Sequence, residues 1–275
     1  MMITVLGATG FIGGHLARLL RAQGREVFTP GREEITQGAL PDFLGDVFYC
    51  IGSDDWTSPK AVVDANFSLL KTVVDQARFR NLVYLSSSRV YLGADSTDED
   101  AALVIQAEDS GAIYNTAKIL AERYCLAQDN PAIKVVRLSN VVGFAPTAQF
   151  FLPTLIRNAL TIGKISFTIG RDSSKDYVLI DDVLHFFLRL TGPTRQRLYN
   201  FASGVNTTAA AIADQLQQHT GCEVSWLGGP DICFPSIALG RVAEEFGSPP
   251  PFDPLDVLAD LVDRQRRWLA ECGRA

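Results

Sequence analysis

The sequence predicts an α/β protein: a doubly wound parallel sheet followed by a small C-terminal domain. Three observations predict it. The chain opens on a strand, a glycine turn and a helix. Apolar strands then alternate with helical stretches as far as Leu138, as βα units of a parallel sheet do. From Phe144 that rhythm breaks into shorter strands, helices and Gly/Pro loops. The expected boundaries are 1–145 for the first domain and 146–275 for the second, with 176–205 returning to the first.

The elements follow in order. Ile3, Thr4, Val5 and Leu6 read as a buried strand, and Gly7, Gly10 and Gly13 follow it at a spacing of three. Ile12, Leu16, Leu19 and Leu20 line one helix face. Gly24 sits where a helix C-terminal glycine belongs. Glu26 to Thr29 is a second strand, ended by the turn Pro30-Gly31-Arg32. Glu33 to Gly45 is weakly patterned, so a third strand there is reduced or absent. Asp46 to Ile51 is a strand, and Ala61 to Phe79 a helix with Val62, Val63, Phe67, Leu70, Val73 and Val74 largely on one side. Leu82 to Leu85 is a strand running into Ser86-Ser87-Ser88, and the polar stretch Gly93 to Asp109 reads as a loop over a site. Tyr114 to Gln128 is helical, and Ile133 to Leu138 is a strand.

Beyond Phe144, Phe151 to Leu160 reads as a helix, and Ile165–Ile169 and Asp176–Ile180 as strands. Asp181-Asp182 would cap a helix over Val183 to Leu190. Leu198 to Phe201 is a strand, Thr207 to Thr220 a helix capped by Asn206 or Thr207, and Pro254 to Leu269 a final helix.

Composition narrows the function classes. The 275 residues are 47% hydrophobic, enough for a sizeable core, and carry a net charge of -6. That charge argues against a nucleic-acid surface. No run of about 18 apolar residues occurs, so no membrane span is expected. The N-terminus lacks the basic start of a signal peptide. Five scattered cysteines form no C-x-x-C pair, and the three histidines are dispersed. Neither a disulfide framework nor a metal site is expected, and a reduced cytoplasmic setting is the natural reading.

Two patterns carry chemistry. A glycine triplet between a strand and a helix suits a dinucleotide. Gly7 permits the tight turn, Gly10 leaves room for a pyrophosphate, and Gly13 lets helix and strand pack closely. The helix N-terminus then offers N–H groups and a positive dipole end to the phosphates. Tyr114 and Lys118 lie four apart, on one helix face. A lysine beside a phenol favours the phenolate, lowering its pKa from about 10. Such a tyrosine can exchange a proton with a substrate oxygen. Ser86, Ser87 and Ser88 end a strand aimed at the same region, where a hydroxyl could hydrogen-bond that oxygen. The alternatives are a chance Y-x-x-x-K on a helix and an ordinary serine loop.

Together these motifs resemble the extended short-chain dehydrogenase/reductases, the nucleotide-sugar epimerase/dehydratase family with a Rossmann core. GATGFIG is similar to its glycine motif, LVYLSSSRVY to its serine/threonine strand and YNTAK to its tyrosine–lysine pair. RLSNVVG, KDYVLIDDV and YNFASG resemble three later landmarks, in order. The resemblance implies that Tyr114 is the acid/base, that Lys118 binds the nicotinamide ribose and tunes Tyr114, and that Ser87, with Ser88 as competitor, is the hydroxyl residue. It implies a cofactor held by Gly7, Thr9, Gly10, Phe11, Ile12 and Gly13, and substrate phosphates facing Asn140 and Lys175. Lys175 stands where the family usually has arginine, and no second phosphate-binding arginine is found near Gly229-Pro230-Asp231. Ser88 and Arg89 replace the acidic pair of 4,6-dehydratases, so dehydration by that route is not expected.

The resulting expectation is hydride transfer between a nicotinamide cofactor and a sugar carbon, on a nucleotide sugar, with a keto-sugar reductase favoured. An NAD-dependent epimerase, a reductase of a non-sugar ketone and a non-catalytic dinucleotide-binding protein are the alternatives. NADP is favoured over NAD because the second strand ends without an acid and Arg32 follows it. Glu33 or Glu34 folding back to a ribose would reverse that preference. A homodimer is expected from the apolar excess on the helices near Ala61 and Tyr114.

Overall fold

A computed structural model of the chain describes residues 2–53, 55 and 57–273. It forms two compact units. The first holds the chain up to Leu138, with Asp181–Phe201 and Ala238–Ser248. The second holds Ser139–Ile180, Ala202–Ile237 and the chain from Pro249.

The chain begins β1 (Ile3–Leu6), α1 (Phe11–Ala22), β2 (Val27–Phe28) and α2 (Arg32–Thr36). It continues with β3 (Asp46–Tyr49), α3 (Pro59–Val63), a π-helical turn (Asp64–Ser68) and α4 (Leu69–Gln76). Next come β4 (Asn81–Ser87), a 3₁₀ turn (Ser88–Tyr91), α5 (Ala112–Ala127) and β5 (Ile133–Leu138). Then follow β6 (Asn140–Val142), α6 (Phe151–Thr161), β7 (Lys164–Phe167) and β8 (Ser174–Leu179). After these are α7 (Ile180–Arg189), β9 (Leu198–Phe201), β10 (Asn206–Thr208) and α8 (Ala209–Thr220). The last are β11 (Glu223–Trp226), α9 (Gly240–Phe246) and α10 (Leu255–Glu271).

The first unit is a six-stranded parallel sheet in the order β2-β1-β3-β4-β5-β9. Every residue of β1, β3, β5 and β9 is buried, as a sheet covered on both faces requires. Strand order reverses between β1 and β3, because β2 lies on the far side of β1. A ligand crevice forms outside the carboxyl ends of the strands at such a switch point. The glycine turn after β1 and Cys50–Gly52 after β3 both fall there.

Several boundaries differ from the expectation, each for a tertiary reason. The helix predicted to Phe79 ends at Gln76, because Arg78 bridges to Phe43 and the Arg80 amide donates to the Gly45 carbonyl at 2.8 Å. Its middle widens into the π-helical turn, where the Tyr49 hydroxyl donates to the Ala65 carbonyl at 2.8 Å and Tyr84 to that of Asn66 at 3.2 Å. The stretch from Glu33 to Gly45, expected to hold a reduced third strand or none, holds the end of the short α2 and no strand. Asp181 and Asp182 sit inside the first turn of α7, where they suit its dipole but do not cap it. Thr208 caps α8, its hydroxyl accepting from the Ala211 amide at 3.2 Å. Asn206 and Thr207 are engaged elsewhere, with the Phe234 carbonyl and with Asp253.

The second unit carries the three-stranded sheet β10-β8-β6 and the pair β11-β7. Its core gathers Leu155, Ile165, Phe167, Ile212, Leu216 and Leu261, with Trp226 stacked on Phe167 at 4.3 Å between centroids.

A buried polar network runs through the first unit. Glu122 of α5 and Arg137 of β5 pair at 2.7 Å with side chains 0% and 1% exposed. Ser86 donates its hydroxyl to Glu122, and Arg137 donates to the Tyr91 hydroxyl at 2.6 Å and the Glu99 carbonyl at 3.3 Å. Tyr91 donates to Asn200 at 2.8 Å, and the Asn200 amide group holds the Thr97 and Ala238 carbonyls. Removing one partner of a buried ion pair leaves the other charge unpaired. Arg137→Met is therefore expected to lower unfolding stability by about 3–5 kcal/mol, read as a lower urea midpoint with an unchanged slope.

Candidate active site

The glycine turn is shaped by steric necessity. Gly7 holds φ +87°, and a Cβ there would lie 2.9 Å from the Cys50 backbone. A Cβ on Gly13 would lie 2.4 Å from the Gly7 carbonyl oxygen. The Gly10 amide donates to that oxygen at 3.0 Å and closes the turn. Thr9 lies within the turn, and Phe11 and Ile12 open α1, which no side chain caps. Helix N-terminal amides of this kind suit an anion.

Beside the turn lies a cleft of about 370 Å³, lined by Gly7, Thr9, Gly10, Cys50 and Gly52 together with Arg21, Thr29 and Arg32. Amides and glycines that leave room for a pyrophosphate, with two guanidinium groups lining the same cleft, fit a dinucleotide. The Glu34 carboxylate accepts from the Gly31 amide at 2.7 Å. Arg21, Thr29, Cys50 and Gly52 escaped the sequence reading, since only the packing of β1 between β2 and β3 brings them to the turn.

Tyr114 and Lys118 occupy the first half of α5. Lys118 is buried and its ammonium donates to the Leu85 carbonyl at 2.7 Å. The same nitrogen stands 5.0 Å from the Tyr84 ring centre and 5.7 Å from that of half-buried Tyr114. Burial pulls the Lys118 pKa down to about 8, opposed by Glu122 and Cys50. Burial pushes the Cys50 thiol up to about 12, opposed by the Lys118 charge.

The three serines diverge rather than share one direction. Ser86 is buried and spends its hydroxyl on Glu122. Ser87, half-buried, ends β4 two residues beyond the carbonyl that takes Lys118, and its hydroxyl accepts from the Arg89 amide at 3.2 Å. Ser88 is buried at the start of the 3₁₀ turn. Arg89 holds Asp109 at 2.6 and 2.8 Å, and Asp109 also accepts from the Gly111 amide and from Asn115. The turn after β4 is thus tied to the start of α5.

Asn140 and Lys175 lie in the second unit. Asn140 pairs with Tyr177 in the β6–β8 ladder, and its side-chain amide donates to the Asp176 carbonyl at 2.9 Å. The Lys175 ammonium stands 5.1 Å from the Phe151 ring centre and 5.7 Å from that of Phe234.

A parallel sheet with a glycine turn at its switch point defines a Rossmann-like protein. The sequence model of the NAD dependent epimerase/dehydratase family matches residues 3–201, and the chain belongs to that family. Mouse sterol-4-alpha-carboxylate 3-dehydrogenase, decarboxylating, is 28% identical over 214 residues, covering 66% of this chain and 57% of the mouse protein. The chain thus spans just over half of that relative's length. Among solved structures, MoeE5 in complex with UDP-glucose and NAD has a TM-score of 0.80 at 20% identity, covering 98% of this chain and 100% of that one. RMD from Pseudomonas aeruginosa, complexed with NADPH, has a TM-score of 0.76 at 18% identity, covering 96% and 99%.

The lowered pKa of Lys118 sets a pH dependence. Between about 8 and the ordinary 10.5, the unfolded chain holds a proton on this lysine that the folded chain has released. Stability owed to this group therefore rises with pH across that window. Lys118→Met is expected to be more stable than the wild type at pH 7, with the gap narrowing from pH 8 to 10. Urea midpoints of the two proteins across that range check it.

Proposed function

We propose that this protein is a nicotinamide-dependent oxidoreductase acting on a nucleotide sugar, and that it works as an NADP-dependent keto-sugar reductase. The observation that carries the reading is the Lys118 ammonium held 5.7 Å from the Tyr114 ring in the unit that bears the glycine cleft. Gly7, Thr9, Gly10, Phe11, Ile12 and Gly13 hold the pyrophosphate, and Lys118 also holds the nicotinamide ribose. When bound, the cofactor supplies the hydride. Tyr114 gives its phenolic proton to the carbonyl oxygen that becomes the alcohol. The Lys118 charge favours the phenolate left behind, and the Ser87 hydroxyl donates to the same oxygen. Ser88 supports the substrate side of that turn, and Asn140 and Lys175 meet substrate phosphates.

The NADP preference is supported by Arg32 in the cleft and by Glu34 being spent on the Gly31 amide. A planar, permanently charged guanidinium suits a 2′-phosphate. One similar solved structure carries NAD and another NADPH, so the family fold accommodates both. A second reading, a non-sugar ketone or alcohol as substrate, is favoured by the aromatic setting of Lys175 and by the likeness to a sterol dehydrogenase.

We also propose a homodimer through α3 and α5. Val63, Ile113 and Leu120 are 38%, 46% and 46% exposed on these helices, more apolar surface than a single buried stripe leaves.

Tyr114→Phe is expected to abolish turnover of any keto-sugar nucleotide while NADPH still quenches protein fluorescence on binding. Near-normal turnover would remove Tyr114 from the chemistry. Wild type is expected to bind NADPH more tightly than NADH, and Arg32→Ala to lose most of that difference; titration of both nucleotides checks it. Light scattering at micromolar concentration is expected to give twice the chain mass, and a monomer mass would contradict the dimer.

A further inference from the structure

Arg21 occupies the last turn of α1, next to fully buried Leu20. A basic residue there suits the negative end of the helix dipole, and that alone would explain it. Two further observations go beyond that role. The Arg21 guanidinium donates to the Thr29 hydroxyl at 3.2 Å, which ties the end of α1 to the tip of β2. Arg21, Thr29 and Arg32 also line the cleft that the glycine turn lines.

The surrounding charges sharpen the point. A chain of net charge -6 offers no general attraction to an anion. Glu33 and Glu34 follow Arg32 directly, and Glu34 is engaged with the Gly31 amide. A ribose 2′-phosphate adds close to two negative charges and three acceptor oxygens. One guanidinium fork satisfies two of those oxygens. A second cation lining the same cleft completes the set. Its hydrogen bond to Thr29 fixes part of the side chain before a ligand arrives, so less rotamer freedom is lost on binding.

We infer that Arg21, anchored by Thr29, is a second specificity residue, which together with Arg32 selects a dinucleotide bearing a 2′-phosphate. The inference rests on the NADP preference proposed above and adds to it a residue from a different element. Arg21 acts on binding, not on the proton or hydride.

The test is binding of NADPH, NADH and adenosine 2′,5′-bisphosphate by fluorescence or calorimetric titration, in wild type, Arg21→Ala, Arg21→Lys and Arg32→Ala. Arg21→Ala is expected to weaken NADPH and the bisphosphate by roughly tenfold, the size of one charge-assisted hydrogen bond, with NADH little changed. Arg21→Lys is expected to recover part of the loss. Equal weakening of NADPH and NADH in Arg21→Ala would overturn the inference, since Arg21 would then serve the shared pyrophosphate. An unchanged NADPH/NADH ratio in Arg21→Ala, with the ratio lost in Arg32→Ala, would overturn it while leaving the NADP preference standing. A wild type that binds NADH as tightly as NADPH would remove that preference and the inference with it. Unchanged urea midpoints in the variants confirm that binding, not folding, is read.

Discussion

The Glu122–Arg137 pair is the constraint on which the first unit depends. Two charges removed from water cost several kcal/mol each unless their partners satisfy them. Here the satisfaction is nearly complete. Glu122 accepts from both Arg137 and Ser86. Arg137 spends its remaining donor on Tyr91 and the Glu99 carbonyl. That choice of partners welds β4, α5, β5 and the long loop after β4 into one body, with β9 joined through Asn200. Apolar packing alone would hold these elements together, but it would not dictate their register as narrowly. A half-satisfied version of this network would be worse than a purely apolar core.

The same helix then bears the candidate chemistry. Glu122 lies one turn beyond Lys118, which lies one turn beyond Tyr114. The face of α5 therefore runs from a wholly buried structural carboxylate to a half-buried phenol. Lys118 sits between them and feels both environments. Burial lowers its pKa, while Glu122 and Cys50 act the other way. The Leu85 carbonyl and the Tyr84 ring supply further compensation for the missing water. A lysine held this way costs stability, and groups perturbed by burial in this manner cluster at functional sites.

The second unit presents a different balance. Its lysine at Lys175 stands near two phenylalanine rings. A compact ammonium meets a phosphate as a point charge, without the bidentate fork of an arginine. Asp176, next in the chain, turns the other way and organises the segment after β9 by accepting from the Ser203 and Gly204 amides and the Ser203 hydroxyl. Adjacent residues of β8 thus turn to different partners, Lys175 to aromatic rings and Asp176 to a loop, as the alternation of a strand allows.

Much of this was legible in the residues alone, because it follows from local rules. The strands at Ile3–Leu6, Ile133–Leu138 and Leu198–Phe201 are written as short apolar-rich segments, even with Lys134, Arg137 and Asn200 among them. The glycine turn is legible as three glycines at a spacing of three between a strand and a helix. The Tyr114–Lys118 pairing follows from helical spacing alone. What tertiary structure decided lies wherever a distant partner outbids a local preference. Thr208 rather than Asn206 or Thr207 caps α8, because pairing with β8 extends the strand to that residue. The helix near Ala61 swells into a π turn beneath the hydroxyls of Tyr49 and Tyr84, which no periodicity announces. Ser86 turns to Glu122, a partner 36 residues away. Arg21 and Arg32 meet at one cleft because β1 packs beside β2. Spacing along the chain determines what a residue can do, whereas the packing of elements far apart in sequence determines what it is asked to do.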